Sequence, residues 1–554
     1  MEKVGKRSIW ASPALDSRIR SANVQKSEKL LGYLTGPGLV YVTYFVVAGT
    51  YLNVFYTDIL NIGHLWGGLF LALMPVVSKV IDAITNVIMG RIIDKTKTAQ
   101  GKARPWLLIS APLLALTGIM LYAVPKASET VQAIWIALSY NLFFAFAFTI
   151  YNMSHTLMVP LSTRNQKQRD TLGFLMNTAT NMIAGAVTYV LFPMVILPWI
   201  GVARDRWVGI MTILSIIAIP AVLLEYYYTK ERITEESAKT EQEENTVSVK
   251  EQMKACLKDS YWVIYMVVWF IWQILSYAQS TILVYYANWV VGSYNDGTTI
   301  TLLTTVSQAI QGPALLLLWP ISKKFGKRNT MIGGMVLAIL GAGIAFINAR
   351  NLGVVMIGML IRCLGLLPSY LFTAMLADAL DHVEWKSGFR CDGFSATIVN
   401  VSVTVGMGIA VGMFNFGLSA FGYVAPAADG AIVQQTNAVQ SFITISYFGM
   451  AILVYAIVLV LMLFYRVEKQ LPQIHTDIIA KHKAEAEARG EVYISFEEKE
   501  RIEAEEQERI AEEKRIEELK AKCEKKGLSF EEEEAKYQAK LAAKKAKQEK
   551  KKRK

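Results

Sequence analysis

Long apolar runs recur along most of this sequence, and short polar turns separate them. Each run is long enough to cross a bilayer as a helix, which takes about 20 residues. We place twelve of them at 37–60, 66–90, 105–125, 131–158, 172–199, 207–228, 261–290, 299–321, 330–348, 353–377, 394–422 and 441–465. Because only helices and closed barrels satisfy backbone polar groups in lipid, the pattern predicts an all-α membrane protein with twelve transmembrane helices.

The polar segments between the runs divide the chain into five parts. A polar N-terminal segment, 1–36, precedes the first six runs at 37–228, and a polar linker, 229–260, precedes the second six at 261–465. Residues 466–554 are rich in Glu, Lys and Ala and predict a charged, helical C-terminal tail. Basic glycine turns follow the second and the eighth run, so we predict two matching six-helix halves.

Basic residues are distributed unevenly between alternate loops. The N-terminal segment, the linker and the other loops on that side carry most of the Lys and Arg residues between the runs. The opposite loops carry only four, at Lys126, Arg204, Arg206 and Arg350. Because positive charge accumulates on the cytoplasmic side, we predict a multi-pass protein of the cytoplasmic membrane with both termini in the cytoplasm.

The composition agrees with a membrane protein. The 554 residues are 53% apolar and only 19% charged, and the net charge of +11 is spread over loops and tail, so we expect a lipid bilayer and no nucleic acid as partner. No disulfide framework or metal site is predicted, because the cysteines are scattered at Cys256, Cys363, Cys391 and Cys523. The oligomeric state is left open.

The second run contains a charged residue deep in the predicted bilayer. Lys79, Asp82 and Asn86 are spaced three and four apart and therefore share one helix face. At ~1.5 Å per residue, Asp82 lies roughly 18 Å from Asp94 at the polar end of the helix. A carboxylate at such depth normally faces a cavity and marks a functional site. The alternative is a structural pair of Lys79 with Asp82.

Phosphoryl chemistry is not predicted. Residues 94–98 resemble the phosphorylated motif of ion pumps, but Lys97 stands in place of its glycine, and no loop is large enough for a nucleotide-binding domain. The basic turns at 101–104 and 326–328 do not match the glycine-rich phosphate-binding pattern. We therefore expect no enzyme and no cofactor, and transport that is driven by a gradient or is facilitated.

Several spaced motifs resemble the glycoside–pentoside–hexuronide:cation symporter family, the melibiose permease-like family of the major facilitator superfamily. In the first half these are Tyr-Thr-Asp at 56–58, Asp82 followed by Ile-Met-Gly at 88–90, and Gly-Lys-Ala-Arg-Pro-Trp at 101–106. In the second half, residues 377–392 resemble the family's acidic and basic loop after the tenth helix. The resemblance implies the major facilitator fold, with substrate bound between the halves near the midplane.

The resemblance also implies a cation site on the second and fourth helices. The family usually has two aspartates four apart, but here Asn86 follows Asp82; on the fourth helix Thr149 keeps a hydroxyl and Asn152 replaces an acid. One carboxylate with Asn and Thr oxygens provides few ligands and little negative charge for Na⁺. A lone buried Asp suits proton binding, although the nearby Lys79 opposes its protonation. Proton coupling ranks first, Na⁺ coupling second and uncoupled diffusion close behind.

Sugar recognition needs amides, hydroxyls and aromatic faces. By the resemblance, Asn177 stands where the family has an arginine and Thr404 where it has a lysine. The predicted substrate-binding residues are Tyr41, Tyr151, Asn152, Asn177, Arg362, Asn400 and Thr404. Further candidates, for which simple packing is the alternative, are Tyr44, His155, Asn181, Trp269, Trp272, Gln273 and Tyr277.

Arg362 lies inside the tenth run, where a guanidinium must find a partner. Candidates are Asp82, backbone carbonyls or an anionic substrate. A carboxylate on the substrate would balance the charges of Lys79, Asp82 and Arg362, so we slightly favour a uronide-like solute over a neutral sugar. A purely structural arginine is the alternative.

Charged residues at the predicted cytoplasmic helix ends suggest a gate. Opposite charges there can hold the halves together while the carrier faces outward. The predicted gate residues are Asp94, Arg104, Asp378, Asp381, Glu384 and Arg390.

The sequence thus predicts a secondary transporter that moves a glycoside, pentoside or hexuronide, by symport with a proton or Na⁺. The alternatives are facilitated diffusion, a carrier of lipids or other non-sugar solutes on the same fold, and a non-transporting sensor whose output arm is the tail.

Overall fold

The computed structural model describes residues 10, 12–21, 24–163, 166–232, 247–309, 318, 320–426 and 434–488, together with short stretches between 509 and 535. Over these residues the regular structure is helical, without β-strands. Residues Met1–Ile478 form one compact unit and Ile479–Lys554 a second. In the second unit Arg515 pairs with Glu534 at 2.6 Å. Most of the charged, helical tail predicted at 466–554 lies outside the described residues.

Eleven helices in the described part of the chain are long and apolar enough to span a membrane. They are α1 Glu28–Ile59, α2 Leu65–Lys95, α3 Arg104–Tyr122, α4 Glu129–Ser162, α5 Thr171–Ile200, α6 Arg204–Tyr228, α7 Ser260–Val291, α9 Lys327–Ile347, α10 Leu352–Ser387, α11 Asp392–Ala420 and α12 Asn437–Lys469. A shorter helix, α8, covers Gly297–Ala309, where the eighth run is predicted. Residues 310–317 of that run lie outside the described residues.

Part of the predicted linker is helical. The helix Val249–Lys258 begins at Ser248, whose hydroxyl accepts a hydrogen bond from the N–H of Glu251 in a capping box. Immediately afterwards the Asp259 carboxylate accepts hydrogen bonds from the first N–H groups of α7, so the linker helix and α7 meet in a sharp turn. Residues 233–246 of the linker lie outside the described part.

The end of α12 and the residues that follow it pack into the first compact unit. Val467 and Ile474 are fully buried in the hydrophobic cluster around α7, α9 and α12. A further helix, Leu471–Ala488, follows. The compact unit therefore extends to Ile478, beyond the predicted start of the tail at 466.

The same contact recurs at the start of α3 and at the start of α9. The Glu231 carboxylate accepts hydrogen bonds from the backbone N–H groups of 102–104 at 2.8–2.9 Å. The Glu468 carboxylate accepts them from the N–H groups of 327 and 328 at 2.8 and 3.2 Å. A carboxylate suits a helix N-terminus because the first N–H groups have no partner within the helix. We call these two contacts the helix-start clasps.

Each helix-start clasp requires a glycine beside the glutamate. Gly101 and Gly326 have φ angles of +102° and +81°, in the left-handed region that favours glycine. A Cβ atom at Gly101 would lie 2.2 Å from an oxygen of Glu231, and one at Gly326 would lie 2.8 Å from an oxygen of Glu468. This explains the glycine in each of the two basic turns.

Helix α11 packs directly on the backbone of α2. A Cβ atom added at Gly412 would lie 2.2 Å from the carbonyl oxygen of Ala72, and one added at Gly408 would lie 2.9 Å from that of Pro75. These glycines therefore let a helix of the second set lie against a helix of the first set without intervening side chains.

Candidate functional site

A cavity of about 300 Å³ lies between the first six helices and the later ones. This volume is at the lower end of the range for small-molecule sites. Its polar lining comes from α1, α4, α5, α7 and α11, through Tyr44, Thr50, Asn53, Tyr56, Tyr140, Tyr189, Gln273, Ser276, Tyr277, Ser280, Thr281 and Asn415. Among the described lining residues there is no Asp, Glu, Lys, Arg or His.

The lining has the chemistry that a sugar requires. Amides and hydroxyls can exchange hydrogen bonds with sugar hydroxyl groups, and tyrosine rings offer apolar faces to C–H groups. Tyr44, Gln273 and Tyr277 are among the sugar candidates that the sequence suggests, and they line the cavity. Asn53 and Asn415 also line it, although neither is predicted.

The carboxylate of Asp82 is surrounded by three donors. Its Oδ1 accepts hydrogen bonds from Thr149 Oγ1 at 2.9 Å and from Asn86 Nδ2 at 3.0 Å, and its Oδ2 accepts one from Lys79 Nζ at 3.2 Å. Asp82 and Lys79 are buried, with 8% and 4% of their surface exposed. The structure thus brings together three of the four residues predicted for the cation site, and it pairs Asp82 with Lys79.

The Asp82 cluster is close to the cavity. Tyr44 and Tyr140 line the cavity and lie within electrostatic reach of Asp82. Lys79 extends over the Phe144 ring of α4, with its Nζ 4.4 Å from the ring centroid. A charge change at Asp82 therefore acts on side chains that line the cavity.

A polar network lies at the side of the cavity where α2 begins. The amides of Asn53 and Asn415 exchange two hydrogen bonds, at 2.9 and 2.8 Å. Asn53 Nδ2 also donates to Tyr285 Oη at 2.8 Å, and Thr57 Oγ1 lies 2.7 Å from the same hydroxyl. Each of these bonds joins α1 to α7 or α11.

Asp58 extends this network. Its carboxylate accepts hydrogen bonds from Tyr423 at 2.7 Å and from Tyr294 at 3.2 Å. Burial and the negative charge of Asp58 raise the pKa of both phenols above the usual value, so they remain protonated donors. We call Asn53, Asp58 and their partners Tyr285, Tyr294, Asn415 and Tyr423 the latch.

The family model described as MFS/sugar transport protein matches residues 33–469. The chain belongs to this family. The isoprimeverose transporter of Lactiplantibacillus pentosus is 29% identical to it over 447 residues, covering 80% of this chain and 89% of the relative. The glucuronide carrier protein homolog of Escherichia coli (strain K12) is 24% identical over 388 residues, covering 69% and 81%. The predicted resemblance to the glycoside–pentoside–hexuronide:cation symporters is confirmed.

Solved structures confirm the fold of this transporter. The crystal structure of a D-xylose–proton symporter matches with a TM-score of 0.53 and 14% identity, covering 79% of this chain and 97% of that chain. An inward-facing bacterial homolog of the human lysosomal transporter Spinster matches with the same TM-score and identity, covering 81% and 97%. The protein is therefore a multi-pass carrier with the major facilitator fold, and members of this family are transporters rather than enzymes.

Three predicted substrate residues of the transporter lie in α1 and α4, outside the cavity lining. Tyr41 Oη donates to Asn152 Oδ1 at 3.0 Å, so Asn152 pairs with Tyr41 rather than with Asp82. Tyr151 Oη donates to Glu225 Oε2 at 2.8 Å and is fully buried. The role of all three in binding stays a prediction.

The remaining predicted substrate residues are also absent from the cavity lining. Asn177 on α5 and Asn400 on α11 are exposed, and Thr404 is half-buried. Arg362 is buried on α10, where its Nη1 donates to Gln279 Oε1 at 2.8 Å.

Arg362 is held between α7 and α12. Its guanidinium lies 5.5 Å from the ring centroid of Tyr447, and Gln279 in turn donates to the Tyr447 carbonyl oxygen. These contacts support the structural alternative for Arg362 and give no support to a pair with Asp82 or to an anionic substrate.

The predicted gate residues form ion pairs and hydrogen bonds at the ends of the helices. Each of the following pairs joins two residues of the same predicted half: Asp94–Lys102 at 3.6 Å, Arg104–Gln100 at 2.6 Å, Asp378–Lys327 at 2.6 Å, Arg390–Asp381 at 2.7 Å and Arg390–Glu384 at 3.3 Å. The bonds between the two sets of helices described above lie instead in the latch. A gate at these residues stays a prediction for the outward-facing state.

Sequence reasoning missed Glu225 entirely. It lies in the last turns of α6, is 1% exposed, and its Oε1 lies 2.6 Å from His155 Nδ1. It lies only four residues before the polar linker predicted at 229–260. The available signal was a carboxylate inside the run predicted at 207–228.

Proposed function

We propose that this transporter carries a glycoside or pentoside across the cytoplasmic membrane together with a proton that binds Asp82. Relatives named for isoprimeverose and for glucuronide support a sugar cargo. The observation that carries the coupling is the buried Asp82 carboxylate, which hydrogen-bonds to Thr149 of α4 beside the cavity.

The donors around Asp82 favour a proton over Na⁺. A Na⁺ ion prefers several oxygen ligands, yet the groups that face the carboxylate include the Lys79 ammonium and the Asn86 amide nitrogen. A proton needs only one carboxylate oxygen. Its binding neutralises Asp82 and releases Lys79, and no further oxygen ligands have to be brought together. Na⁺ coupling remains the second candidate because Asn86 and Thr149 each carry an oxygen beside Asp82.

The cavity lining supports a neutral sugar over a hexuronide. Its polar groups are amides and hydroxyls, and Arg362 is engaged with Gln279 elsewhere. A buried carboxylate of a uronide would need a cationic partner in the lining. We therefore place neutral glycosides and pentosides first and hexuronides second.

We also propose that residues 37–228 and 261–465 move as two halves joined by the linker 229–260, with both termini in the cytoplasm. The distribution of Lys and Arg supports this orientation. The latch then lies on the outer side, and its hydrogen bonds support a state in which the cavity is closed to the outside.

Uptake by proteoliposomes tests the coupling. Radiolabelled isoprimeverose, D-xylose and methyl glucuronide are offered under an inward proton gradient, an inward Na⁺ gradient or no gradient. We expect the proton gradient to drive accumulation of a neutral sugar. In Asp82→Asn, accumulation should be lost while exchange of sugar between equal concentrations continues, because binding in the cavity is retained. Asp205→Asn, at an exposed aspartate, is the matched control.

Three results would change this proposal. Full accumulation by Asp82→Asn would remove Asp82 from the coupling site. Accumulation that follows Na⁺ at constant pH would replace the proton by Na⁺. Uptake that equilibrates under every gradient would indicate facilitated diffusion, with the Lys79 ammonium as a permanent counter-ion of Asp82.

A further inference from the structure

A second buried acid–base pair lies between α4 and α6. His155 Nδ1 is 2.6 Å from Glu225 Oε1, and Tyr151 Oη donates to the other carboxylate oxygen at 2.8 Å. The His155 and Glu225 side chains are only 3% and 1% exposed. Ionisable groups inside membrane helices are costly, and they commonly mark proton pathways. The proposed coupling at Asp82 does not use this pair.

The pair is linked to the Asp82 cluster along α4. Thr149, which donates to Asp82, precedes His155 by six residues, or ~9 Å along the helix axis. Between them, Asn152 accepts the hydrogen bond of Tyr41, whose ring centroid lies 5.8 Å from that of His155. Polar side chains thus extend from the cation site to the buried pair without leaving the space between α1 and α4.

The groups that face the pair are mainly phenols. Tyr33 and Tyr41 approach Glu225 from α1, and Tyr151 approaches it from α4. Beyond Tyr33, Glu28 and Arg232 form their own ion pair at 2.7 Å. Among the described residues, Tyr151 and His155 are the hydrogen-bond partners of the Glu225 carboxylate, and of these two only the imidazole can take up a positive charge.

We propose that His155 and Glu225 form a second proton-binding site, which binds its proton more weakly once Asp82 has gained one. This rests on the proposed proton-coupled transport. His155 keeps its Nδ1–H donated to Glu225, and the exchangeable proton binds at Nε2. The net charge of the pair then alternates between zero and minus one.

Electrostatics couples the two sites. The negative charge of Asp82 attracts a proton at His155 across the low-dielectric interior, so protonating Asp82 lowers the proton affinity of His155.

Histidine NMR of the full-length protein in lipid nanodiscs tests this directly, with the proton as the only probe. The chain has five histidines, and His155→Gln assigns the His155 signal. We expect the His155 ring signals to change when the pH is varied between about 5 and 9, as reversible proton binding at Nε2 requires. The midpoint of this change should fall by about one pH unit in Asp82→Asn and by more in Glu225→Gln. His382, equally buried and 2.5 Å from Asp259, is the internal control and should not respond to either change.

A His155 signal that is constant over this pH range overturns the second site, even if the variants fail to fold. The same midpoint in wild type and Asp82→Asn also overturns it, because a purely structural pair would not sense Asp82. Neither result depends on sugar accumulation. Failure of the second site and failure of proton-coupled transport are therefore distinguished.

Discussion

The Lys79 ammonium lies where an external cation would approach Asp82. The two residues are three apart on α2, so the ammonium is always available at 3.2 Å from Oδ2. Any coupling ion must compete with it for the carboxylate. Asn86 adds only a neutral amide beside Asp82, so replacing it by an acid tests whether more negative charge lets Na⁺ compete with Lys79.

Replacing Asn86 by Asp should give the transporter a Na⁺ response. A second carboxylate one turn along α2 would offset Lys79 and add the oxygen ligands that a hard cation prefers. We expect a Na⁺ gradient to raise sugar accumulation by about tenfold over the wild type under the same gradient, which corresponds to ~1.4 kcal/mol of added coupling. Asn86→Gln is the control, and an active Asn86→Asp protein without any Na⁺ response would contradict this account of the site.

Arg362 should prove structural. Because its guanidinium is bound by Gln279 outside the cavity, Arg362→Gln should reduce uptake of neutral sugars and uronides in equal proportion. Loss of a buried charged hydrogen bond should also lower stability by about 1–3 kcal/mol, measured by thermal unfolding. Gln273→Ala, in the cavity lining, is the comparison and should change the ratio between solutes. Selective loss of uronide uptake in Arg362→Gln would instead support the hypothesis that Arg362 binds an anionic substrate.

Among the elements, we expect the latch to hold the cavity closed on its own side. Asn53→Ala removes hydrogen bonds to Tyr285 and Asn415 that each contribute about 0.5–1.5 kcal/mol. We expect the variant to expose the cavity more often on the latch side. The readout is labelling of a cysteine introduced at Thr281 by an impermeant reagent added from that side.

The control for this experiment is Tyr33→Phe. Tyr33 donates to the Met158 carbonyl at 3.1 Å within the first set of helices, so its loss leaves the latch intact. Equal labelling in Asn53→Ala and Tyr33→Phe would mean that the latch contributes nothing to closure.

The helix-start clasps should differ in strength. Glu231 accepts from three N–H groups and Glu468 from two, so Glu231→Ala leaves more donors unpaired. Loss of a capping side chain typically lowers stability by about 0.5–2 kcal/mol, and we expect Glu231→Ala at the upper end. Thermal unfolding of the two variants beside the wild type measures the difference. A larger effect of Glu468→Ala would contradict this order.

For the whole molecule, the sequence predicts the fold better than the site. The positions of the helices follow from the length of the apolar runs, because lipid allows few other structures. The cation cluster could also be predicted, since Asp82 and Asn86 share a helix face and family resemblance adds Thr149. The helix positions and the cation cluster can be predicted because they depend on residue spacing along one helix or on a known family motif.

The cavity lining could not be predicted in the same way. Membrane helices are apolar on every side, so no amphipathic stripe indicates which face of α1 or α7 lines the cavity. Asn53 and Asn415 meet across more than 300 residues of sequence, and no local signal links them. For Arg362 the sequence shows only a charge inside an apolar run, whereas the packing of α7 and α12 shows that Gln279 is its partner.

Helices α11 and α2 touch through their backbones, so this contact is a point about which the two sets of helices can turn. Gly412 meets Ala72 between the latch on one side and Asp82, ~15 Å along α2, on the other. When helices turn about such a point, approach at one end separates the other end. In a rocking motion about this contact, closure of the latch would therefore accompany opening beside Asp82.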